Sequence, residues 1–170
     1  MGYVNLKDIC QFIPPSQIAK SGGTWTPTLS GSLITDVRTA GADGFYLFIP
    51  IKLPASDSAR QCAKLKSVDI WYKIGVAAMA DMAAVEVKKL TLPATGVAAT
   101  GAAYTAFTID ADHDTAAERK ALGDHKMTVT FTDAPYLEDD EALIIVLTCE
   151  AAVTSVLTLL GAQVNYELRM

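Results

Sequence analysis

The sequence predicts an all-β protein, an antiparallel, jelly-roll-like β-sandwich with an N-terminal arm and one short surface helix. Three observations predict it. Apolar and polar residues alternate at period two over several short segments, the signature of half-buried strands. Gly, Pro, Asp and Ser cluster between those segments, as in RTAGADG, LPASDSAR and LPATGVAATG. A complete helix-start signal occurs in one short stretch, TAAERKAL.

The chain of 170 residues suits a single domain, divided into an arm and linker over 1–23 and a sandwich over 24–170. Apolar residues make up 51% of it, enough for a substantial core. Charged residues, at 19%, are scarce enough to suggest that partners cover part of the surface. The net charge of −5 comes with no Lys/Arg run, and pairs such as Lys64/Lys66 and Lys88/Lys89 cannot neutralise a phosphate backbone. Nucleic acid is therefore excluded as a direct partner. No stretch reaches the roughly 18 apolar residues of a membrane-spanning helix, and MGYVNLKDICQFIPP lacks the apolar run of a signal peptide. A membrane role is not expected, and synthesis in the cytoplasm is.

In chain order, NLKDICQFI reads as two helical turns stopped by Pro14 and Pro15, with SGG after it as a flexible joint. TPTLS and SLITDVRT are weak strands. GFYLFIPIKLP sets Phe45, Leu47, Ile49, Ile51 and Leu53 on one face. KSVDIWYKIGV turns Val68, Ile70, Tyr72, Ile74 and Val76 inward and Asp69, Trp71 and Lys73 outward. VAAMADMAAVEVKKL admits two readings, an amphipathic helix carrying Met79, Met82, Val85 and Leu90, or a strand over its second half. AYTAFTI, HKMTVTFTD, ALIIVLTCE and GAQVNYELR complete the strands; the third is apolar on both faces, as a central strand is.

IDADHDTAAERKALGDH poses the main chemical question. Asp110, Asp112 and Asp114 alternate like the opening of a calcium loop, making them the one weak metal candidate. Counting from Asp110, position 6 is Thr115 rather than Gly and position 12 is Ala121 rather than Glu, so hinge and bidentate ligand are both missing. Thr115 and Glu118 instead make a capping box, and Gly123 is placed to end a helix over 115–122. No metal and no cofactor is expected. His113 and His125 flank this helix and read as solvated loop residues.

Cys10, Cys62 and Cys149 are widely spaced and lack any CxxC, so reduced thiols are expected, Cys149 as a small core residue. The acidic run Glu138, Asp139, Asp140 and Glu141 in PYLEDDE reads as a solvated turn, since adjacent turn residues do not converge on one bond. No hydrolase, metalloprotease or nucleotide motif occurs, and no catalytic residue is assigned. The expected business of the chain lies in its surfaces. Ile9, Phe12, Ile13 and Ile18 are apolar residues of the arm with no partner in its own short helix. Tyr46, Phe48 and Trp71 alternate away from the core and suit either an interface or stacking on the flat faces of sugars.

From about Trp25 to Leu168 the layout resembles the β-sandwich virion proteins of tailed bacteriophages and related viruses. GFYLFIPIKLP, VDIWYKIGV and the block GDHKMTVTFTDAPYLEDDEALIIVLTCEAAVTSVLTLLGAQVNYEL carry the resemblance. It implies a structural virion protein, a capsid-associated decoration or minor capsid subunit that forms a homo-oligomer and contacts other virion proteins, located in the virion. The alternatives are a carbohydrate-binding β-sandwich module and a tail or fibre component.

Overall fold

Strands follow the two-residue alternation. A computed structural model describes residues 6–51, 63–92, 95–96, 98–133, 137 and 141–169. Its strands are β1 (Leu6–Ile13), β2 (Ala19–Ser21), β3 (Trp25–Ser30), β4 (Leu33–Arg38), β5 (Gly44–Ile51) and β6 (Ala63–Gly75). They continue with β7 (Asp81–Thr91), β8 (Thr100–Tyr104), β9 (Phe107–Ile109), β10 (Gly123–Phe131), β11 (Glu141–Glu150) and β12 (Val156–Arg169). A 3₁₀ turn at Pro15–Gln17 and the helix α1 (Ala116–Arg119) interrupt them.

The strands form two antiparallel sheets. One has seven strands, in the order β3-β4-β12-β6-β10-β9 with β1 also on β12; the other has five, β2-β5-β11-β7-β8. The chain crosses between layers from β4 to β5, β5 to β6 and β6 to β7, so neighbours in a sheet are mostly not consecutive, the jelly-roll arrangement. The inner faces meet in a core that includes Leu47, Ile49, Ile70, Val129, Ile145, Leu147 and Val164, all essentially without solvent exposure. Phe45 and Ile51 complete the inward face of β5, while Leu53 lies outside the described residues.

β12 is the hub of the larger sheet. One edge pairs with β6 from Val156↔Gly75 to Leu168↔Ala63. Its other edge is shared: β4 takes Leu157–Leu159 and β1 takes Ala162–Arg169. The changeover falls at a bulge between Leu159 and Gly161. Gly161 is held at φ 132°, and a Cβ there would stand 2.7 Å from the Phe12 ring and 2.8 Å from the Ile13 carbonyl. Only glycine lets β1 approach this closely.

Two expectations are corrected, and one open reading is resolved. Residues 6–13 are a strand, not helical turns: the four-residue spacing of Ile9 and Ile13 satisfies both periods, and the open edge of β12 supplies backbone partners that an isolated helix would lack. Residues 6–21, expected as an arm, give β1 to one sheet and β2 to the other, and Ile13 and Ile18 are buried in the chain's own core. The ambiguous segment at 77–90 is strand over Asp81–Thr91, because β7 is sandwiched between β11 and β8 and its hydrogen bonds go to them.

The short helix forms as expected. The Thr115 hydroxyl accepts from the Glu118 amide, and the Glu118 carboxylate accepts from the Thr115 amide. It stops at Arg119, and Gly123, at φ 142°, opens β10 instead of capping it.

Ile145 sits mid-strand in β11 between Ile49 and Val87, with no solvent exposure. Ile145→Ala should lower unfolding free energy by about 2–5 kcal/mol with the denaturant slope unchanged, as read by chemical denaturation.

Candidate functional site

The outer face of the seven-stranded sheet gathers polar and aromatic side chains from three neighbouring strands. Alternation on β6 sends Asp69, Trp71 and Lys73 outward, opposite the core residues Val68, Ile70 and Tyr72. A second bulge on the β6–β12 ladder, where the register shifts between Asn165 and Tyr166, leaves Lys66 and Ser67 both outward. β12 contributes Gln163 and Asn165, which pair across to Asp69 and Ser67, and β10 contributes Lys126 and Thr128, opposite Trp71 and Asp69.

These side chains hold one another in place. The Asp69 carboxylate, only 7% exposed, accepts from the Thr128 hydroxyl at 2.7 Å and from the Asn165 amide at 3.1 Å, with the Lys126 ammonium at 3.4 Å. Asn165 also donates to the Ser67 hydroxyl at 3.1 Å and accepts from the Gln163 amide at 2.9 Å. A buried carboxylate with fewer donors would carry a desolvation cost; this network offsets it and holds the two amides fixed.

Trp71 stands beside it, half-buried, with the Lys126 ammonium 5.6 Å from its ring centroid. Among the described residues nothing accepts its indole N–H, nor donates to the Gln163 side-chain oxygen. Trp25, by contrast, gives its indole N–H to the Gly22 carbonyl at 3.0 Å. Two hollows flank the network. One of about 370 Å³ lies along Asp8, Lys66, Ser67, Gln163, Asn165 and Tyr166. The other, about 260 Å³ and mostly apolar, lies between Phe12, Leu33, Trp71, Leu160 and Gln163, at the break between β4 and β1.

The three expected surface aromatics do not share a face. Trp71 is on the outside of the larger sheet, whereas Tyr46 and Phe48 are on the outside of the smaller one, their rings 6.0 Å apart. Of the expected N-terminal contacts, Phe12 is exposed beside Trp71's hollow, Ile9 is partly buried against the core, and Ile13 and Ile18 are inside it. Asp69, Gln163, Asn165, Ser67 and Lys126 were not among the expected site residues. Their outward phase is legible in VDIWYKI, HKMTVTF and QVNYEL; that these strands are neighbours is not.

The histidines are corrected: His113 is buried and His125 is half-buried. His113 Nδ1 lies 2.6 Å from Asp110 Oδ1, and its Nε2 lies 3.2 Å from His125 Nδ1. His125 stacks on Tyr72 with ring centroids 4.7 Å apart. Burial and charge outran the loop position, because α1 folds Asp110–Lys120 back against β7 and the Arg119 guanidinium anchors to the carbonyls of Met82, Ala83, His113 and Asp114. Asp110 is an internal anchor here, while Asp112 and Asp114 are exposed. Among the described residues, no group of three or more His, Cys, Asp and Glu is arranged to hold a metal ion.

Of the cysteines, Cys10 is exposed and Cys149 buried, and Cys62 lies outside the described residues, as do Glu138, Asp139 and Asp140. Glu141 pairs with Lys89 at 2.6 Å. Among the described residues, no helix is long and apolar enough to cross a membrane.

No family model matches the chain, and no curated protein matches it. Among solved structures it is similar to TmCBM61 in complex with beta-1,4-galactotriose, at 12% identity and a TM-score of 0.42, covering 92% of this chain and 91% of that one. It is also similar to the family 11 carbohydrate-binding module from Clostridium thermocellum in complex with a beta-1,3-1,4-mixed-linked tetrasaccharide, at 11% identity and a TM-score of 0.31, covering 98% and 89%.

Two predictions follow from the site's geometry. Thr128→Val keeps the volume but removes a donor from the buried Asp69 carboxylate, so unfolding free energy should fall by about 1–3 kcal/mol in a denaturant titration. Burial pushes the Cys149 thiol up to about 12, and the thiolate is the reactive form. Alkylation of the native protein at mildly alkaline pH, followed by mass spectrometry, should label Cys10 and leave Cys149 unmodified until denaturant is added.

Proposed function

We propose that this chain is a non-catalytic β-sandwich binding module whose outer face on the seven-stranded sheet takes a neutral carbohydrate. The observation that carries the reading is the pairing of Trp71 with a pre-ordered amide and carboxylate network. A sugar ring has an apolar C–H face that stacks on an aromatic ring, and hydroxyls that both donate and accept. Trp71 supplies the ring, its free indole N–H and the Lys126 ammonium supply donors, and the Gln163 oxygen supplies an acceptor. Since Asp69, Asn165 and Ser67 already fix one another, little side-chain freedom remains to be lost on binding.

Charge argues for a neutral ligand. Lys66 pairs with Asp8 and Glu167, Lys73 with Asp124, and Lys126 with Asp69. Lys64 lies opposite Glu167 in register. The lysines of this face are thus offset by its carboxylates, and it offers no unmatched positive field for an acidic polysaccharide.

Glycan-array screening followed by calorimetry tests this. Trp71→Ala should weaken binding to the best neutral glycan roughly tenfold or more, about 1.4 kcal/mol, while leaving the melting temperature near that of the unaltered chain. Tyr46→Ala, on the opposite face, should leave affinity unchanged. No binding to any neutral glycan, or equal losses from both variants, would overturn the reading.

A second reading, a self-assembling virion subunit, is favoured by one feature. The β3–β4 hairpin exposes Leu29 and Ile34, paired in register and 70% and 59% exposed. Contiguous exposed apolar side chains of this kind mark contact surfaces. On that reading, light scattering should show an oligomer that Leu29→Asp together with Ile34→Asp dissociates; a monomer in both cases would end it.

A further inference from the structure

The four ring nitrogens of His113 and His125 require three hydrogens, one more than two neutral rings carry. His113 Nδ1 lies 2.6 Å from Asp110 Oδ1. Burial alone would raise the Asp110 carboxyl, but hydrogen bonds from the Thr128 amide and His113 outweigh it and hold the group below the usual carboxylate range. An ionised carboxylate only accepts, so His113 Nδ1 bears a hydrogen. At the far end, His125 Nε2 lies 2.8 Å from the Ala121 carbonyl oxygen, which also only accepts. That nitrogen bears a hydrogen as well. Between them, His113 Nε2 and His125 Nδ1 face each other at 3.2 Å. With both rings neutral, these two nitrogens would oppose lone pair to lone pair.

We infer that His113 and His125 hold one shared proton between them, a singly charged imidazole pair balanced by Asp110, and that this proton latches residues 110–125 onto the end of the sandwich. Asp110 anchors the latch on β10 through the Thr128 amide, and Ala121 closes it behind α1. Without the proton the central contact turns repulsive and the segment loses its tie.

The surrounding charges are compatible with it. From β6, Tyr72 stacks on His125 and gives its hydroxyl to the Arg119 carbonyl; burial raises its phenol, so it stays neutral. From α1, the buried Arg119 guanidinium is turned to four backbone carbonyls, and the Lys120 ammonium to that of Ala80. Glu118 is held ionised by the Thr115 hydroxyl and amide and, more weakly, by charge at His113. Asp112 and Asp114 sit exposed on the same loop, and Asp81 lies on the neighbouring β7. On β10, Asp124 and Lys126 flank His125 in sequence but face outward, Asp124 toward Lys73 and Lys126 toward Asp69.

The sign of the pH effect follows from proton counting. Two unfolded imidazoles bind two protons well below pH ~6.5 and none well above it, against one in the proposed pair, so below that range stability falls as pH falls. Over the range where the folded state binds more protons than the unfolded, stability falls as pH rises.

Nitrogen-15 imidazole spectra of the full chain at neutral pH decide the matter. Three ring N–H groups shared by His113 and His125, falling to two on alkalinisation with faster amide exchange over residues 111–122, are expected. Two neutral rings with two N–H groups at neutral pH would overturn it. As a second measure, the melting-temperature gap between the unaltered chain and His125→Gln should be widest near neutral pH and narrow toward alkaline pH; a constant gap would also count against the latch. If His125→Gln does not fold, the spectra of the unaltered chain suffice.

Discussion

The fold depends on the ladder between β6 and β12. These are the two longest strands, they pair along nearly their whole length, β4 and β1 attach to the free edge of β12 and β10 to that of β6, and β3 and β9 extend the sheet from β4 and β10. A ladder between two straight strands would present a regular outer surface. This one is broken by two bulges, at Leu159/Gly161 and at Asn165/Tyr166, and a bulge adds twist and re-aims side chains. The segment between them is where Trp71, Asp69, Gln163 and Asn165 converge. The same irregularities that accommodate β4 and β1 on one edge of β12 therefore shape the proposed binding face.

Gly161 shows how tightly the two are connected. Directly opposite Trp71 in register, it has no side chain to cover the indole, and the absence of a Cβ leaves room for the Phe12 ring. The apolar hollow between Phe12, Leu33, Leu160 and Trp71 exists because β1 begins where β4 ends. The N-terminal segment is thus part of the site's wall. Its apolar residues divide by strand phase: Ile13 points inward to the core, while Phe12, one position away, points outward beside Trp71.

What was legible in the sequence follows from which forces are local. Period-two alternation fixed the inward faces of β5, β6, β10 and β12, and the Thr115/Glu118 capping box located α1, since both signals lie within one segment. β1 was misread because Ile9 and Ile13 fit either period, and the deciding term, an unpaired edge on β12, lies some 150 residues away in the chain. The histidines were misread for the same reason: His113 meets His125, and His125 stacks on Tyr72, contacts that only the tertiary fold makes. The site's polar residues were visible as outward positions on three separate strands. Nothing local states that β10, β6 and β12 are neighbours in that order.

Thr128 joins the two polar regions of the molecule. Its amide donates to Asp110, the anchor of the histidine pair at the inner end of β10, and its hydroxyl donates to Asp69 on the outer face. Its carbonyl accepts from the Asp110 amide, extending the pairing of β9 with β10 by one bond. One residue is therefore held by two carboxylates, its backbone by Asp110 beyond the β9 edge and its hydroxyl by Asp69 on the outer face. A shift of β10 along β6 by a single position would reverse its side chains and uncouple both carboxylates at once. The register that places Lys126 over Trp71 is the register that places His125 on Tyr72, so the proposed binding face and the histidine latch are set by one alignment of one strand. Any displacement of β10 that loosened the latch would be felt at Asp69, because the link between them is a single peptide unit and its side chain rather than a chain of flexible contacts.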